Sequence, residues 1–369
     1  MFGFGKKQTK NYLGIDIGAG GIKIVELMNE KGRGRLITYG YSERSSADVL
    51  HPLEDPKGTS EMITSIFKQS GMTSVRAIGA LPLSSVFSAI VAVPRGKDEK
   101  EIKAAVNEQV KKLTPMPLED MITYSTFIDP IKIEKPIAPV APVLPNQPKK
   151  QEYVRVLVTG AAKSLVQKYI EIFKLSKIEL VALDTEAFAL IRALVGKDKS
   201  TVMIVDMGYV RTNLMVVEKG VPFLTRSINV GGGTVTKKIM ELLHVSEAEA
   251  ERFKQDLGNV SEAGAAPPNG LSNVLGSILQ PMLNEIKFAA ESYSKMELTD
   301  GKKIEKIILT GGSAHLPSLI EELTKAMNVN VYVGDPWARV VAPDELRPAL
   351  EEIGPKLAVA IGLAMREID

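Results

Sequence analysis

The chain has 369 residues, 44% of them hydrophobic, with 46 Lys and Arg against 44 Asp and Glu for a net charge of +2. That length fits two ordinary domains or one bilobed fold with a sizeable core, and the near-neutral balance argues against a general nucleic-acid binder, which carries a basic excess. Cysteine is absent, which excludes disulfides, thiol chemistry and Cys-based zinc sites, and His51, His244 and His315 are too scattered to form a metal-ligand pattern.

At the start, MFGFGKKQTK lacks the apolar stretch of a signal peptide, and Phe2 in place of Gly excludes N-myristoylation. No apolar run reaches the roughly 18 residues of a membrane-spanning helix, so a soluble cytoplasmic chain is expected. Phe2 and Phe4 with Lys6, Lys7 and Lys10 read as a frayed, solubilising terminus in preference to a membrane contact. YLGIDI at 12–17 predicts a buried strand, AGG at 19–21 a tight turn, and IKIVEL at 22–27 the returning strand. A helix capped by Ser60 is expected over 60–70, and RAIGALP at 76–82 predicts another buried strand.

From about 83 to 162 the pattern changes to strand (SSVFSAIVAVP), amphipathic helix (KDEKEIKAAVNEQVKKL), strand (MITYSTFI) and strand (EYVRVLVTGA). Between the last two strands, 129–150 is Pro-rich, which blocks helix and ladder alike and predicts a mobile loop in preference to a docking motif. The segment is expected to be a small α/β insertion. A helix at 163–174, the strand IELVALD and the helix EAFALIRAL follow. TVMIVDMG at 201–208 predicts a buried strand, TNLMVVEKG its return, PFLTRSINV a third strand, and GGGTVTKKIMELL a glycine turn opening a helix. Ser246 and Glu249 form a capping box for the next helix. A loop over 259–270, an amphipathic helix over about 271–296, the strand KIIL, the glycine turn and helix of TGGSAHLPSLIEEL, and a final helix containing Gly362 complete the chain.

The informative feature is an internal echo. LGIDIGAGGIKIVEL around Asp16 and MIVDMGYVRTNLMVV around Asp206 share one plan: buried strand, Asp, apolar residue, Gly, short turn, returning strand. A single Asp-x-Gly hairpin is ordinary turn chemistry. Two of them allow more, because successive N–H groups of a glycine turn form a nest for phosphate oxygens, and two Asp residues facing one cleft can hold hydrated Mg2+. LTGGSAHLP at 309–317 adds a glycine turn before a helix, where an N-terminus can meet a ligand.

Together these motifs resemble the actin/Hsp70/hexokinase superfamily over nearly the whole chain. The module at 83–162 is similar to the extra subdomain of the FtsA family. IDIGAGGIKIVEL, LDTEAFAL, RSINVGGGTVTKKI and ILTGGSAHLPSL resemble the PilM family, actin-like cytoplasmic components of type IV pilus assembly. The resemblance implies a bilobed α/β fold with two related five-stranded cores. The first lobe would be 1–82, 163–195 and 350–369, the second 196–231 and 304–349, and a helical subdomain 232–303.

It also implies ATP with Mg2+ in the cleft. Asp16 and Asp206 would hold the metal through water. Gly18, Ala19, Gly20 and Gly21 would line one side of the phosphates and Gly208, Thr212 and Asn213 the other. Lys23 would reach a phosphate or else face solvent, and Glu186 would orient a water or else complement its helix dipole. Gly231, Gly232, Thr234 and Lys237 would flank the nucleoside, and Gly311, Gly312 and Ser313 would meet adenosine and the α-phosphate. Gly233 stands where the family shows an acid, and Phe288 and Ala289 stand where it shows Arg-Ser, leaving Glu285 and Lys287 as possible ribose or base contacts. The implied partner is the N-terminal cytoplasmic segment of a bitopic inner-membrane protein, PilN-like, held beside the inserted module. Further implications are other pilus assembly proteins as partners, an indirect membrane association, no nucleic acid, and possible self-association. Hydrolysis would be slow or absent. A small-molecule kinase, a filament-forming ATPase and an FtsA-like division protein are the alternatives. The kinase is disfavoured because no clustered Asn/Asp/His set offers a base and a polar substrate pocket.

Overall fold

The computed structural model describes residues 10–43, 51–94, 99–128, 153–262, 271–296, 299, 301–316 and 318–368. The aromatic and basic residues Phe2, Phe4, Lys6 and Lys7, and the Pro-rich segment 129–150, lie outside the described residues. Contacts divide the chain into residues 1–84 with 167–369, and residues 85–166.

In the larger unit, β1 (Asn11–Gly18), β2 (Gly21–Glu30) and β3 (Arg33–Tyr41) form an antiparallel meander. β4 (Arg76–Leu81) adds in parallel to β1, and β8 (Glu179–Thr185) in parallel to β4. The second half repeats this plan. β9 (Val202–Met207), β10 (Thr212–Glu218) and β11 (Val221–Ile228) form an antiparallel meander, and β12 (Lys306–Thr310) and β13 (Asn330–Val333) add in parallel. The strand orders β3-β2-β1-β4-β8 and β11-β10-β9-β12-β13 are the same. The first sheet has a sixth strand beyond the expected five. The two-residue β14 (Val340–Val341) pairs with β3, so part of the segment expected in the second lobe belongs to the first sheet.

β1 is apolar on both faces because both are covered. One core runs through both halves, from Tyr12, Val25 and Leu27 through Ile204, Met215 and Val217 to the last helix, α9 (Arg347–Met365). Gly362 lets α9 lie directly on the short helix α4 (Glu186–Leu190), since a methyl group there would stand 2.0 Å from the Ala189 carbonyl oxygen.

The first helix starts earlier than Ser60. α1 spans Pro56–Gln69. Asp55 caps it by accepting from the Gly58 N–H at 3.0 Å, and Pro56 fits the first helical position, where no N–H is needed. The Ser246–Glu249 capping box is present: Glu249 accepts from the Ser246 N–H at 2.9 Å, and Ser246 Oγ from the Glu249 N–H at 3.3 Å. The helix it opens, α6 (Glu247–Glu262), takes up the first residues of the expected loop at 259–270. α3 (Lys163–Leu175), α5 (Gly232–Leu243), α7 (Leu271–Ser294) and α8 (Leu319–Met327) complete the unit.

The smaller unit is an antiparallel sheet in the order β5-β7-β6, from β5 (Val86–Pro94), β6 (Met121–Phe127) and β7 (Tyr153–Ala162). The helix α2 (Glu99–Leu113) covers one face through Ile102, Val106 and Val110 against Val91, Val93, Val154, Val156 and Val158. Among the described residues no helix is long and apolar enough to cross a membrane.

Candidate functional site

The two Asp-x-Gly hairpins occupy equivalent corners of the two sheets, at the turns β1–β2 and β9–β10. Cross-strand register pairs Asp16 with Lys23 and Asp206 with Asn213, so each acid faces a residue of its own returning strand. Thr310 at the end of β12 lies beside Asp206 in parallel register, which sets the third glycine turn against the second hairpin.

Asp16 is buried, with Lys23 Nζ at 3.6 Å from its Oδ2 and only 15% of the Lys23 side chain exposed. Lys23 also donates to the Gly21 carbonyl at 3.3 Å. Lys23 therefore does not face solvent. Burial pushes the Asp16 carboxyl up in pKa, and Lys23 opposes this. Asp206 is pushed up to about 6 by burial and then by Asp16, against hydrogen bonding from Asn213 and the charge of Lys23. Asn213 Nδ2 reaches both Asp206 Oδ2 and Glu186 Oε2 at 3.4 Å, while its Oδ1 accepts from Ser227 Oγ at 2.6 Å.

Glu186 begins α4, and its Oε2 accepts from the Leu83 N–H at 2.7 Å. Its side chain is half-buried. Burial, and then the charges of Asp16 and Asp206, push it up to about 8. Three carboxylates thus face one lysine, and the least favourable charge is removed by protonation. Glu186 therefore holds its proton more readily than an ordinary carboxylate. Tyr169 of α3 lies under the same cluster. It is fully buried, its hydroxyl has no hydrogen-bond partner among the described residues, and burial, Glu186 and Asp16 raise its pKa.

The glycines differ in what they permit. Gly21 has φ +127°, and a methyl group there would stand 2.0 Å from the Ser42 carbonyl oxygen, so this turn requires glycine. Gly18 lies under the Lys23 ammonium, and Gly18, Ala19 and Gly20 are half-buried at the turn. Gly208 donates its N–H to the Arg211 carbonyl at 3.0 Å, which closes the second turn on itself. Gly231 packs on the Gly208 and Tyr209 carbonyls, and Gly232 on Ser313 Oγ, so the start of α5 and the third turn meet the second hairpin. Gly311 has φ +89° and lies against Asp206, whereas Gly312 is open, with Lys356 Cε at 3.9 Å from where a Cβ would stand.

Several expected contacts are otherwise engaged. Thr212 is buried, and its hydroxyl donates to the Val230 carbonyl at 2.7 Å, which ties the hairpin to the segment before α5. Thr234 Oγ1 accepts from the Gly231 N–H at 3.4 Å, in the first turn of its own helix. Lys237 and Lys287 are exposed. Glu285 pairs with Arg226 at 2.9 Å, and the Arg226 guanidinium lies 4.7 Å from the centre of the Phe288 ring. Ala289 is buried, so it belongs to the core and not to a base-binding face.

Three residues beside the expected site were not among the expected contacts: Tyr209, within the second hairpin, and Tyr169 and Lys356, which carry no motif. Lys356, on α9, pairs with Glu43 and lies 4.5 Å from the centre of the Tyr41 ring, placing a cation beside Gly312. Tyr169 and Lys356 come to the site by packing between segments distant in sequence, which local patterns do not carry.

The residues fit a polyphosphate: an open glycine turn at Gly312 with Lys356 beside it, a turn of small residues at Gly18–Gly21 with Lys23 beside it, and two carboxylates, Asp16 and Asp206, that can meet a hydrated cation. A family model described as type IV pilus assembly protein PilM matches residues 14–368. The cell division protein FtsA of Bacillus subtilis (strain 168) is 23% identical over 355 residues, covering 88% of this chain and 78% of the relative. The structure of a PilM-PilN type IV pilus biogenesis complex is similar with a TM-score of 0.79 at 21% identity, covering 97% of this chain and 98% of that one. MreB5 of Spiroplasma citri bound to ADP is similar with a TM-score of 0.51 at 12% identity, covering 96% and 95%. At such identities the likeness is one of fold, and the expected actin-like α/β fold holds. By the match over nearly its whole length, the chain belongs to the PilM family of type IV pilus assembly proteins.

Proposed function

We propose that this chain is a nucleotide-dependent scaffold of type IV pilus assembly, which binds Mg-ATP or Mg-ADP between its two halves and holds the N-terminal segment of a PilN-like membrane protein. The observation that carries the nucleotide reading is the coupling of Asp16, Asp206 and Lys23 at one cleft between two hairpins of the same plan. When bound, the hydrated Mg2+ neutralises phosphate oxygens. Asp16 and Asp206 accept hydrogen bonds from its waters, and Lys23 offsets the charge that remains. Gly18–Gly21 and Gly312 bring backbone close to the phosphates. Glu186 is a candidate to orient an attacking water, and fast turnover needs that water, its base and charge stabilisation in place together, so hydrolysis by the isolated chain is expected to be slow.

Mg-ATP or Mg-ADP at millimolar concentration raises the melting temperature by linkage. Asp16→Ala and Gly312→Arg abolish the rise while the fold stays intact. Absence of any rise in the wild type contradicts the nucleotide reading, and fast turnover lost in Glu186→Ala overturns the scaffold reading in favour of an enzyme.

The partner reading follows from the family and from the PilN-containing complex among the similar structures. The smaller unit carries exposed apolar side chains at Ile122, Tyr124 and Tyr153, which an extended segment can bury. A disordered tail loses entropy on binding, so its affinity is modest. A synthetic peptide of the membrane protein's cytoplasmic N-terminus, titrated into the folded chain, tests this. No binding at high micromolar peptide removes the partner reading and leaves the nucleotide reading standing.

A further inference from the structure

One ion pair joins the first and third glycine turns. On the side of the third turn, Thr310 Oγ1 and the Gly311 N–H both donate to the Pro355 carbonyl, at 3.1 and 3.0 Å. This fixes α9 against the turn and sets Lys356 beside Gly312, with its Cε 3.9 Å from where a Cβ would stand. On the side of the first turn, the Ser42 N–H donates to the Ile22 carbonyl at 2.9 Å, and Ser42 Oγ accepts from the Ile22 N–H at 3.1 Å. The chain after β3 is thereby held on the first hairpin, with Glu43 Cα 3.3 Å from where a methyl group on Gly21 would stand. Lys356 pairs with Glu43, so the bridge runs from the flank of Gly21 to that of Gly312.

The Lys356 ammonium lies 4.5 Å from the centre of the Tyr41 ring. Tyr41 is the cross-strand partner of Lys23, and such partners share one face of a sheet. Lys356 therefore stands on the face where Lys23 meets Asp16. The two members of the pair are not held alike. The Lys356 side chain is 26% exposed and rests on Tyr41, whereas that of Glu43 is 60% exposed. An exposed carboxylate gives up such a pair at little cost, and a phosphoryl group offers the same ammonium more charge and more acceptor oxygens. On the nucleotide reading above, we propose that Lys356 is a phosphate-binding residue and Glu43 its built-in competitor: the carboxylate holds the ammonium between the first and third turns, and a nucleotide phosphate takes its place. Breaking the pair subtracts from the binding energy, so Lys356 supplies affinity and Glu43 limits it.

Calorimetric titration of Mg-ADP into the full chain tests this in a double-mutant cycle of Glu43→Gln and Lys356→Met. Thermal shifts at millimolar nucleotide cover the weaker variants, and melts without nucleotide confirm folding. Lys356→Gln takes the place of Lys356→Met if the latter does not fold. Glu43→Gln should tighten Mg-ADP binding about two- to fivefold. Lys356→Met should weaken it about tenfold or more. With Lys356 already replaced, Glu43→Gln should change nothing further. Three outcomes overturn the competition and leave the nucleotide site standing: unchanged or weaker binding in Glu43→Gln, equal tightening with and without Lys356, and wild-type affinity in Lys356→Met. Should Mg-ADP bind neither the wild type nor Glu43→Gln, both folded, the nucleotide reading itself is overturned.

Discussion

The two hairpins begin from one plan and solve the same electrostatic problem in different ways. In each, an Asp at the end of a buried strand faces the returning strand at the same register position. The first places a lysine there, and the buried charge of Asp16 is met by an opposite charge. The second places Asn213, which supplies a dipole to Asp206 and reaches on to Glu186. The first turn is bare glycine, and the second carries Tyr209. Duplication of a fold thus preserves where a carboxylate stands, while its partner and the bulk beside it are free to diverge. The result is an asymmetric cleft, cationic on one side and amide-lined and partly filled on the other.

The largest expected effect breaks the symmetry at the glycines. Gly21→Ala forces a side chain into a positive φ and onto the Ser42 carbonyl, and should cost about 3 kcal/mol or more. Gly208→Ala meets only the Arg211 carbonyl, at 3.0 Å, and should cost much less. Urea melts of the pair check this, and equal losses contradict it. Next, Lys23→Met removes the cation that, among the described residues, the three carboxylates share, and should cost about 2–4 kcal/mol, limited because Asp16 can take up a proton. Asn213→Ala removes weaker hydrogen bonds and should cost about 1 kcal/mol.

The third prediction concerns pH. Glu186 and Asp206 have folded pKa values above the ordinary carboxylate range, so the native state holds protons that the unfolded state releases. Their effect is absent at low pH, where both states are protonated, and stability falls as pH rises toward the folded values. Asp206 acts up to about 6 and Glu186 up to about 8. Glu186→Gln should therefore flatten the decline between about pH 6 and 8, a gain on the order of 1–2 kcal/mol at the upper end given that the side chain is half-buried. Identical slopes in wild type and variant would exclude this charge arrangement. The smallest effect is at Tyr169, whose buried hydroxyl has no partner among the described residues. Tyr169→Phe should be neutral or stabilising by about 1 kcal/mol. A clear loss would reveal a partner, such as a bridging water, for that hydroxyl.

The halves of the fold were legible because the central strands are continuous apolar runs ending in Asp-x-Gly, a pattern that survives without any neighbour. β3 was not, because its burial is irregular and its side chains largely face outward, and β14 is only two residues long. The start of α1 was legible in Asp55-Pro56 but was read at Ser60, whose hydroxyl instead donates to the Lys57 carbonyl inside the helix. At the site, Asp16, Asp206 and Lys23 follow from the hairpins alone. The raised pKa of Glu186 depends on three acids brought together from separate segments. The contact of Tyr209 with Gly20 is visible only where the two hairpins meet, and that of Lys356 with Gly312 only where α9 passes it. Thr212 was legible as a residue type, but its hydroxyl is used by the Val230 carbonyl, which sequence spacing does not reveal.

The central claim is that both hairpins hold one nucleotide together. Amide hydrogen exchange over residues 16–21 and 206–213, measured with and without saturating Mg-ADP, tests it most directly. Protection should rise in both segments at the same nucleotide concentration, and in neither for Asp16→Ala. Protection confined to one hairpin, or unchanged in both while the protein remains folded, would contradict the account.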